Sequence, residues 1–102
     1  VRRRLSEMEI RVEAIRLTGL RHLTDQLAGK PSGSETAINK LQRGMLELEM
    51  SELSLELLGS EALHQGEVQH DALGWHGTVI GGGSPNIQRN IIAERILGLP
   101  KD

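Results

Sequence analysis

Apolar side chains recur every three or four residues over most of residues 2–58, which is the period of an α-helix. In the first part of the chain they form a single stripe, made of Leu5, Met8, Val12, Ile15, Gly19, Leu23 and Leu27. Gly29 suits the C-terminal cap of this helix, and Pro31 cannot continue it. The pattern predicts a long amphipathic helix over residues 2–28, followed by a turn at residues 32–34.

The second periodic stretch carries two apolar stripes instead of one. It predicts a helix over residues 35–58, with Ser34 as N-cap or with Ser32 and Glu35 in a capping box, and with Gly59 at its end. A helix that is apolar on two sides is usually buried on two sides, so we expect a further neighbouring helix or another subunit. The two stripes are Leu41, Met45, Leu48 and Leu55, and Leu46, Met50, Leu53 and Leu57.

Four glutamates, at positions 47, 49, 52 and 56, lie on the same predicted helix. They are most simply its solvated edge. Glu49, Glu52 and Glu56 are three or four residues apart, so they could also line a polar site.

Residues 60–80 have the weakest periodicity. Because Gly66, Gly74 and Gly77 interrupt it, we predict no more than a short helical turn around residues 67–73. Histidines recur every six residues beside two carboxylates, a spacing that matches neither one helical face nor a known ligand motif, so we expect no metal site. These residues are His64, His70, His76, Glu67 and Asp71.

Three glycines, Gly81 to Gly83, lead into the best-marked helix start of the chain. Ser84 is a preferred N-cap, Pro85 suits the first helical position, and isoleucines recur at helical spacing, which predicts a helix over residues 85–97. Backbone amides at such a start, next to residues without side chains, could seat an anion or a polar ligand edge. The alternative is a flexible hinge before a terminal helix.

The composition limits the fold class and the partners. With 102 residues, no Met at position 1 and Trp75 as the only aromatic residue, we expect a fragment with an aliphatic core: an all-α, up-down helical bundle. The net charge is −2, and no aromatic platform or sustained basic face follows Arg2 to Arg4, so we expect no nucleic-acid partner. No cysteine is present, and no apolar run has the length of a membrane span or the form of a signal peptide.

The last helix and the turn before it closely resemble the C-terminal signature of the acyl-CoA dehydrogenase family, GGTSEIQRNIIAERVLGLPR. The match begins at Gly82 and is nearly unbroken from Ile87 to Pro100. Residues 4–31, 35–41 and 55–59 look like the two preceding long helices of that family's C-terminal domain. The resemblance covers almost the whole chain and is weakest over residues 60–79.

The resemblance implies a fold and an activity. Family members are flavoenzymes that remove hydrogens from the α and β carbons of an acyl-CoA thioester: FAD takes the β hydride and a glutamate takes the α proton. Their electrons pass to an electron-transfer flavoprotein, and they are usually tetramers. Residues 1–102 would supply three helices of a C-terminal four-helix bundle. Without the family's β domain, this chain alone should be inactive, and a cytoplasmic location in a bacterium is expected.

The resemblance also implies site residues. The glycine that contacts acyl-CoA corresponds to Gly83, and the flavin-contacting stretch corresponds to Ser84, Pro85 and Asn86. Ser84 keeps a hydroxyl, whereas Pro85 lacks a backbone donor. A second segment, which binds the FAD of a neighbouring subunit, corresponds to Glu56, Leu57, Gly59 and Ser60.

Many relatives carry their catalytic glutamate at the position of Gly82, so the resemblance places no catalytic residue in this chain. Either the base comes from an earlier helix of the bundle, as in a subset of the family, or the subunit is a non-catalytic relative. A further departure is His76, where a number of relatives carry arginine. A free-standing helical interaction module is the remaining alternative.

Overall fold

The computed structural model describes residues 1–30, 33 and 35–101, and the secondary structure within them is entirely helical. The all-α class is therefore confirmed. The caps at Ser32 and Ser34 and the break at Pro31 lie outside the described residues, and so does the predicted turn at residues 32–34 except for Gly33. In chain order the elements are α1 (Arg2–Leu27), α2 (Glu35–Leu58), a 3-10 helix (Gly59–Leu63), α3 (Glu67–Ile80), α4 (Pro85–Ile91) and a π-helical turn (Ile92–Ile96).

Helix α2 lies at the centre, and α1 runs antiparallel to it. Arg4 donates to Glu56 and Arg11 donates to Glu49, each over 2.5 Å, so residues near the start of α1 meet residues near the end of α2. Glu49 and Glu56 were expected as a solvated edge or as the lining of a polar site. Both side chains are partly exposed, as an edge of the helix would be, and each also pairs with an arginine of α1.

The core is small and aliphatic. Met8, Leu46 and Leu53 are buried together, and Ile15 packs against them. The other apolar members of the α1 stripe are half-exposed or exposed, since within the described residues α2 is the one long helix that packs closely along α1. Between α1 and α3, over α2, an apolar trough of about 750 Å³ contains Val12, Met50, Val68 and Trp75 among its lining residues.

The prediction of only a short turn over residues 67–73 is wrong: α3 continues to Ile80. Gly74 and Gly77 lie inside it, and a Cβ at either position would meet nothing within 4 Å. A glycine inside a helix costs only about 1 kcal/mol, which packing against α2 can offset. Buried Ala72 and the approach of Val79 to Gly44 are part of that packing.

The last predicted helix, over residues 85–97, divides into two helical forms. Ile91 ends α4, and the chain continues through a π-helical turn in which the Leu97 N–H donates to the Ile92 carbonyl over 3.0 Å. Gly98 then adopts a φ of 66°. This turn, α4 and α3 all pack along α2, so α2 supports both ends of the loop that joins α3 to α4.

Candidate functional site

The loop between α3 and α4 is built around two glycines with left-handed backbone. Gly82 has a φ of 71° and Gly83 a φ of 112°, conformations that residues with a Cβ rarely adopt. Gly81 and Gly82 are exposed and Gly83 is half-buried. The chain therefore presents bare backbone at the surface at this point, which the triple glycine in the sequence had indicated.

Ser84 begins α4 as predicted. Its backbone is extended, and its hydroxyl oxygen accepts a hydrogen bond from the Ile87 N–H over 3.4 Å. Pro85 occupies the first turn, where its missing N–H costs nothing to the helix. The Asn86 side-chain oxygen accepts from Arg89 Nη1 over 3.1 Å, so the Asn86 amide nitrogen is left as its donor.

Two side chains that the sequence did not single out hold this loop in place. Gln88 is buried, and its Nε2 donates to the Gly82 carbonyl over 3.3 Å. Lys40 of α2 reaches the end of α3, where its Nζ lies 3.5 Å from the carbonyl oxygens of Thr78 and Val79. Gln88 follows Gly82 by only six residues, so this contact is local in the sequence. Lys40 lies 38 residues from Thr78, and no local sequence pattern connects these two residues.

The cap at Ser84 leads to a first prediction. We expect Ser84→Ala to lower the free energy of unfolding by about 0.5–1 kcal/mol, at the low end for N-caps because the hydrogen bond is long. Chemical denaturation followed by circular dichroism measures it. Ser6→Ala is the matched control: the Ser6 hydroxyl bonds within the exposed face of α1, so alanine should leave stability unchanged or slightly raised. Equal effects of the two substitutions would contradict the capping role.

The second predicted segment, Glu56 to Ser60, lies at the opposite end of α2 from the glycine loop. The loop packs near Lys40, and Glu56 follows Lys40 by sixteen helical steps along α2, which corresponds to about 24 Å. Within this segment Glu56 is paired with Arg4, Leu57 is exposed, and Gly59 has a φ of 58°. One copy of the chain therefore does not bring the two predicted cofactor segments together.

The histidines do not form a cluster. The His76 imidazole bonds to the Ala72 carbonyl over 3.1 Å, and His70 lies 3.5 Å from the Asp71 carboxylate at an exposed position. Among residues 1–30, 33 and 35–101, no three His, Cys, Asp or Glu side chains come together as a metal site requires.

None of the helices in the described part of the chain combines the length and the apolarity needed to cross a membrane.

Comparison with known proteins identifies the family. The profile described as "Acyl-CoA dehydrogenase, C-terminal domain" matches residues 1–97, which includes both predicted cofactor segments. No curated protein and no solved structure gives a significant match. The match covers nearly all of the chain, and the helical fold and the glycine loop before α4 agree with it. The chain belongs to the acyl-CoA dehydrogenase family and corresponds to its C-terminal domain.

Proposed function

We propose that this chain is the C-terminal domain of an FAD-dependent acyl-CoA dehydrogenase, and that its glycine loop forms a wall against the flavin and the acyl-CoA thioester. The observation that supports this most strongly is the pair of positive φ angles at Gly82 and Gly83, directly before the capped start of α4. Bare backbone at this position lets a flat ring system or a thioester approach the main chain closely.

The residues present fit a flavin edge. A Cβ at Gly83 would lie 2.5 Å from Gln88 Nε2, so a side chain there would displace the Gln88 amide from its hydrogen bond to the Gly82 carbonyl. Ser84, which is half-buried, and Asn86 add a hydroxyl and an amide at the start of α4, directly after the glycines. Such groups suit the oxygen and nitrogen atoms of a flavin ring.

FAD, when bound, supplies the acceptor for the β hydride of the acyl chain. The residues of this chain bind and position: Gly83 offers backbone to the thioester, and Ser84 and Asn86 offer hydrogen bonds to the flavin. Pro85 contributes no backbone donor, so any contact that the family makes through this amide is absent here. Gln88 holds the loop against α4, and Lys40 of α2 holds the end of α3 that leads into the loop; both act as positioning residues.

We further propose that the Glu56 to Ser60 segment contacts the FAD of a neighbouring subunit. Its distance from the glycine loop supports this, because a single bound FAD near Gly83 of the same chain would not extend to it easily. An assembly of subunits, a tetramer in the homo-oligomeric case, would bring the two segments together. The Glu56 carboxylate would meet the dinucleotide only as an acceptor, and Arg4 already balances its charge.

The apolar trough over α2 supports the expectation of a further helix. A helix seated between α1 and α3 would cover Val12, Met50 and Val68, which are 40–47% exposed, and would complete a four-helix bundle. We propose that this helix belongs to the full-length acyl-CoA dehydrogenase subunit of which the chain is the C-terminal domain, which we call the parent subunit. We also propose that the parent subunit is a cytoplasmic enzyme that passes electrons to an electron-transfer flavoprotein.

The test of this function is the flavin content of the purified parent subunit. We expect bound FAD, read from the visible flavin spectrum and from the cofactor released on denaturation. A correctly folded parent subunit that takes up no FAD, even when FAD is added in excess, would contradict the proposal.

Gly82 supports a second candidate, a family member kept for assembly or ligand binding without its own proton acceptor. Glycine cannot abstract a proton, and this position carries the glutamate in many relatives. Under the favoured proposal the base comes from another helix of the parent subunit, and under the second it is absent.

Placing a carboxylate at position 82 separates the two. A Cβ at Gly82 would make an ordinary contact, 3.6 Å from Lys40 Cε, although the φ of 71° costs about 1–2 kcal/mol. We expect Gly82→Glu and the equally strained Gly82→Gln to turn over acyl-CoA at the same rate in the parent subunit. If Gly82→Glu were faster by the ~100-fold that a general base supplies, the parent would lack its own base and the second candidate would hold.

A further inference from the structure

The ion pair between Arg4 and Glu56 joins α1 to the edge of the Glu56 to Ser60 segment. Arg4 Nη1 donates to Glu56 Oε2 over 2.5 Å, and both side chains remain partly exposed. Glu56 and Gly59 are about one helical turn apart, and Gly59, with a φ of 58°, directly follows the end of α2. The guanidinium of Arg4 therefore lies beside any molecule that contacts this segment.

The charges of the segment itself do not suit a dinucleotide. The diphosphate of FAD is anionic, whereas the charged side chains over residues 56–63 are Glu56 and Glu61. The sequence has no lysine or arginine between Arg43 and Arg89. A cation that this chain places near the segment must therefore come from another element, and Arg4 of α1 is such a cation.

Arg4 retains hydrogen-bond donors for a second partner. Within the described residues its guanidinium makes one hydrogen bond, to Glu56, and a guanidinium has five N–H donors in a planar fork. This fork matches the oxygen atoms of a phosphate group, which it can bind through two parallel hydrogen bonds. Arg4 can therefore bind a phosphate while it stays bonded to Glu56.

We propose that Arg4 binds the diphosphate of the FAD that the Glu56 to Ser60 segment contacts. In this arrangement Glu56 orients the Arg4 guanidinium, while the negative charge of Glu56 weakens the contact with the phosphates. Arg4 lies outside both segments that the resemblance indicates, so it is an additional binding residue. This inference rests on the proposed function, because it requires that the segment meets FAD in the assembled protein.

A second ion pair between the same two helices provides a matched control. Arg11 Nη1 donates to Glu49 Oε2 over 2.5 Å, seven residues from the first pair along each helix. Seven helical residues correspond to about 10 Å, so this second pair lies about that much farther from Gly59. If the pairs only tie α1 to α2, breaking either one should have the same effect. If Arg4 binds FAD, only the first pair should affect the affinity for FAD.

The first test titrates the FAD-free parent subunit with FAD and follows the flavin fluorescence. We expect Arg4→Gln to raise the dissociation constant of FAD by about tenfold or more, because a charge-assisted hydrogen bond is lost. Glu56→Gln should lower the constant by about threefold or more, because its amide oxygen still accepts from Arg4 but no longer repels the phosphates. In 0.15 M salt, Arg11→Gln and Glu49→Gln should leave the constant within about twofold of the wild type.

The second test uses inorganic pyrophosphate as a competitor of FAD and thereby identifies the group that Arg4 contacts. We expect pyrophosphate to displace FAD from the wild-type parent subunit and from Arg11→Gln, with an inhibition constant that rises by about tenfold in Arg4→Gln.

Four results would overturn the assignment of Arg4: equal FAD affinity in Arg4→Gln and the wild type, equal losses in Arg4→Gln and Arg11→Gln, weaker FAD binding by Glu56→Gln, or pyrophosphate competition that Arg4→Gln leaves unchanged. A wild-type parent subunit that binds no FAD would instead contradict the proposed function, and this inference with it.

Discussion

Replacing Leu53 by alanine should cost the chain about 2–5 kcal/mol of its free energy of unfolding. Leu53 is 2% exposed and packs with Leu46 and Met8 where α1 crosses α2, so its loss leaves a cavity that neighbours cannot easily fill. Among the described residues the core holds few other large buried apolar side chains, namely Met8 and Leu46. A domain of this size has only about 5–15 kcal/mol in total, so Leu53→Ala should remove a large share of it.

Urea denaturation followed by far-UV circular dichroism measures this loss. Leu63→Ala is the matched control, because Leu63 is 89% exposed in the 3-10 helix and its truncation should change stability by less than about 0.5 kcal/mol. A Leu53→Ala chain as stable as the Leu63→Ala chain would contradict the packing of α1 on α2 described above.

The second large effect is expected at Gly83. Its φ of 112° is strained for any residue with a Cβ, and a Cβ there would lie 2.5 Å from Gln88 Nε2, which is itself bonded to the Gly82 carbonyl. We expect Gly83→Ala to destabilise the chain by about 1–3 kcal/mol and, in the parent subunit, to lower FAD and acyl-CoA binding together. Both losses have one cause, the displacement of the loop from α4.

Gly74→Ala is the control for the backbone argument. Gly74 lies inside α3 with open space around its Cβ position and no positive φ, so alanine there should raise stability by about 0.5–1 kcal/mol. The two alanines should thus have opposite signs in the same denaturation experiment. Two losses of similar size would show that the glycine loop has no special conformation.

The sequence predicted the long helices and the start of α4 because their signals are local. Ser84 and Pro85 mark a helix start by their own chemistry, and the stripes of α1 and α2 reflect the helical period directly. The sequence missed the length of α3 because Gly74 and Gly77 indicate a break. Their cost is outweighed by packing against α2, which no local pattern contains.

The candidate site also combines features that the sequence predicts with features that it does not. The glycines and the cap at Ser84 were predicted from the sequence, whereas the side chains that hold the loop and the end of α3 in place were not. Lys40 reaches the end of α3 from another helix, and Glu49 and Glu56 are paired by arginines of α1. These contacts join distant parts of the chain. The row of glutamates on α2 could not by itself show that Glu49 and Glu56 have arginine partners on α1.

The measurement that tests the central claim most directly is an anaerobic titration of the FAD-loaded parent subunit with acyl-CoA thioesters. Acyl-CoA dehydrogenation reduces the flavin, so its visible absorbance should bleach with the thioester and remain unchanged with free CoA. Gly83→Ala should weaken the thioester dependence of the bleaching, whereas Gly74→Ala should leave it as in the wild type. An FAD-loaded subunit whose flavin absorbance responds to no acyl-CoA, or whose response is the same in the Gly83→Ala variant, would contradict the account.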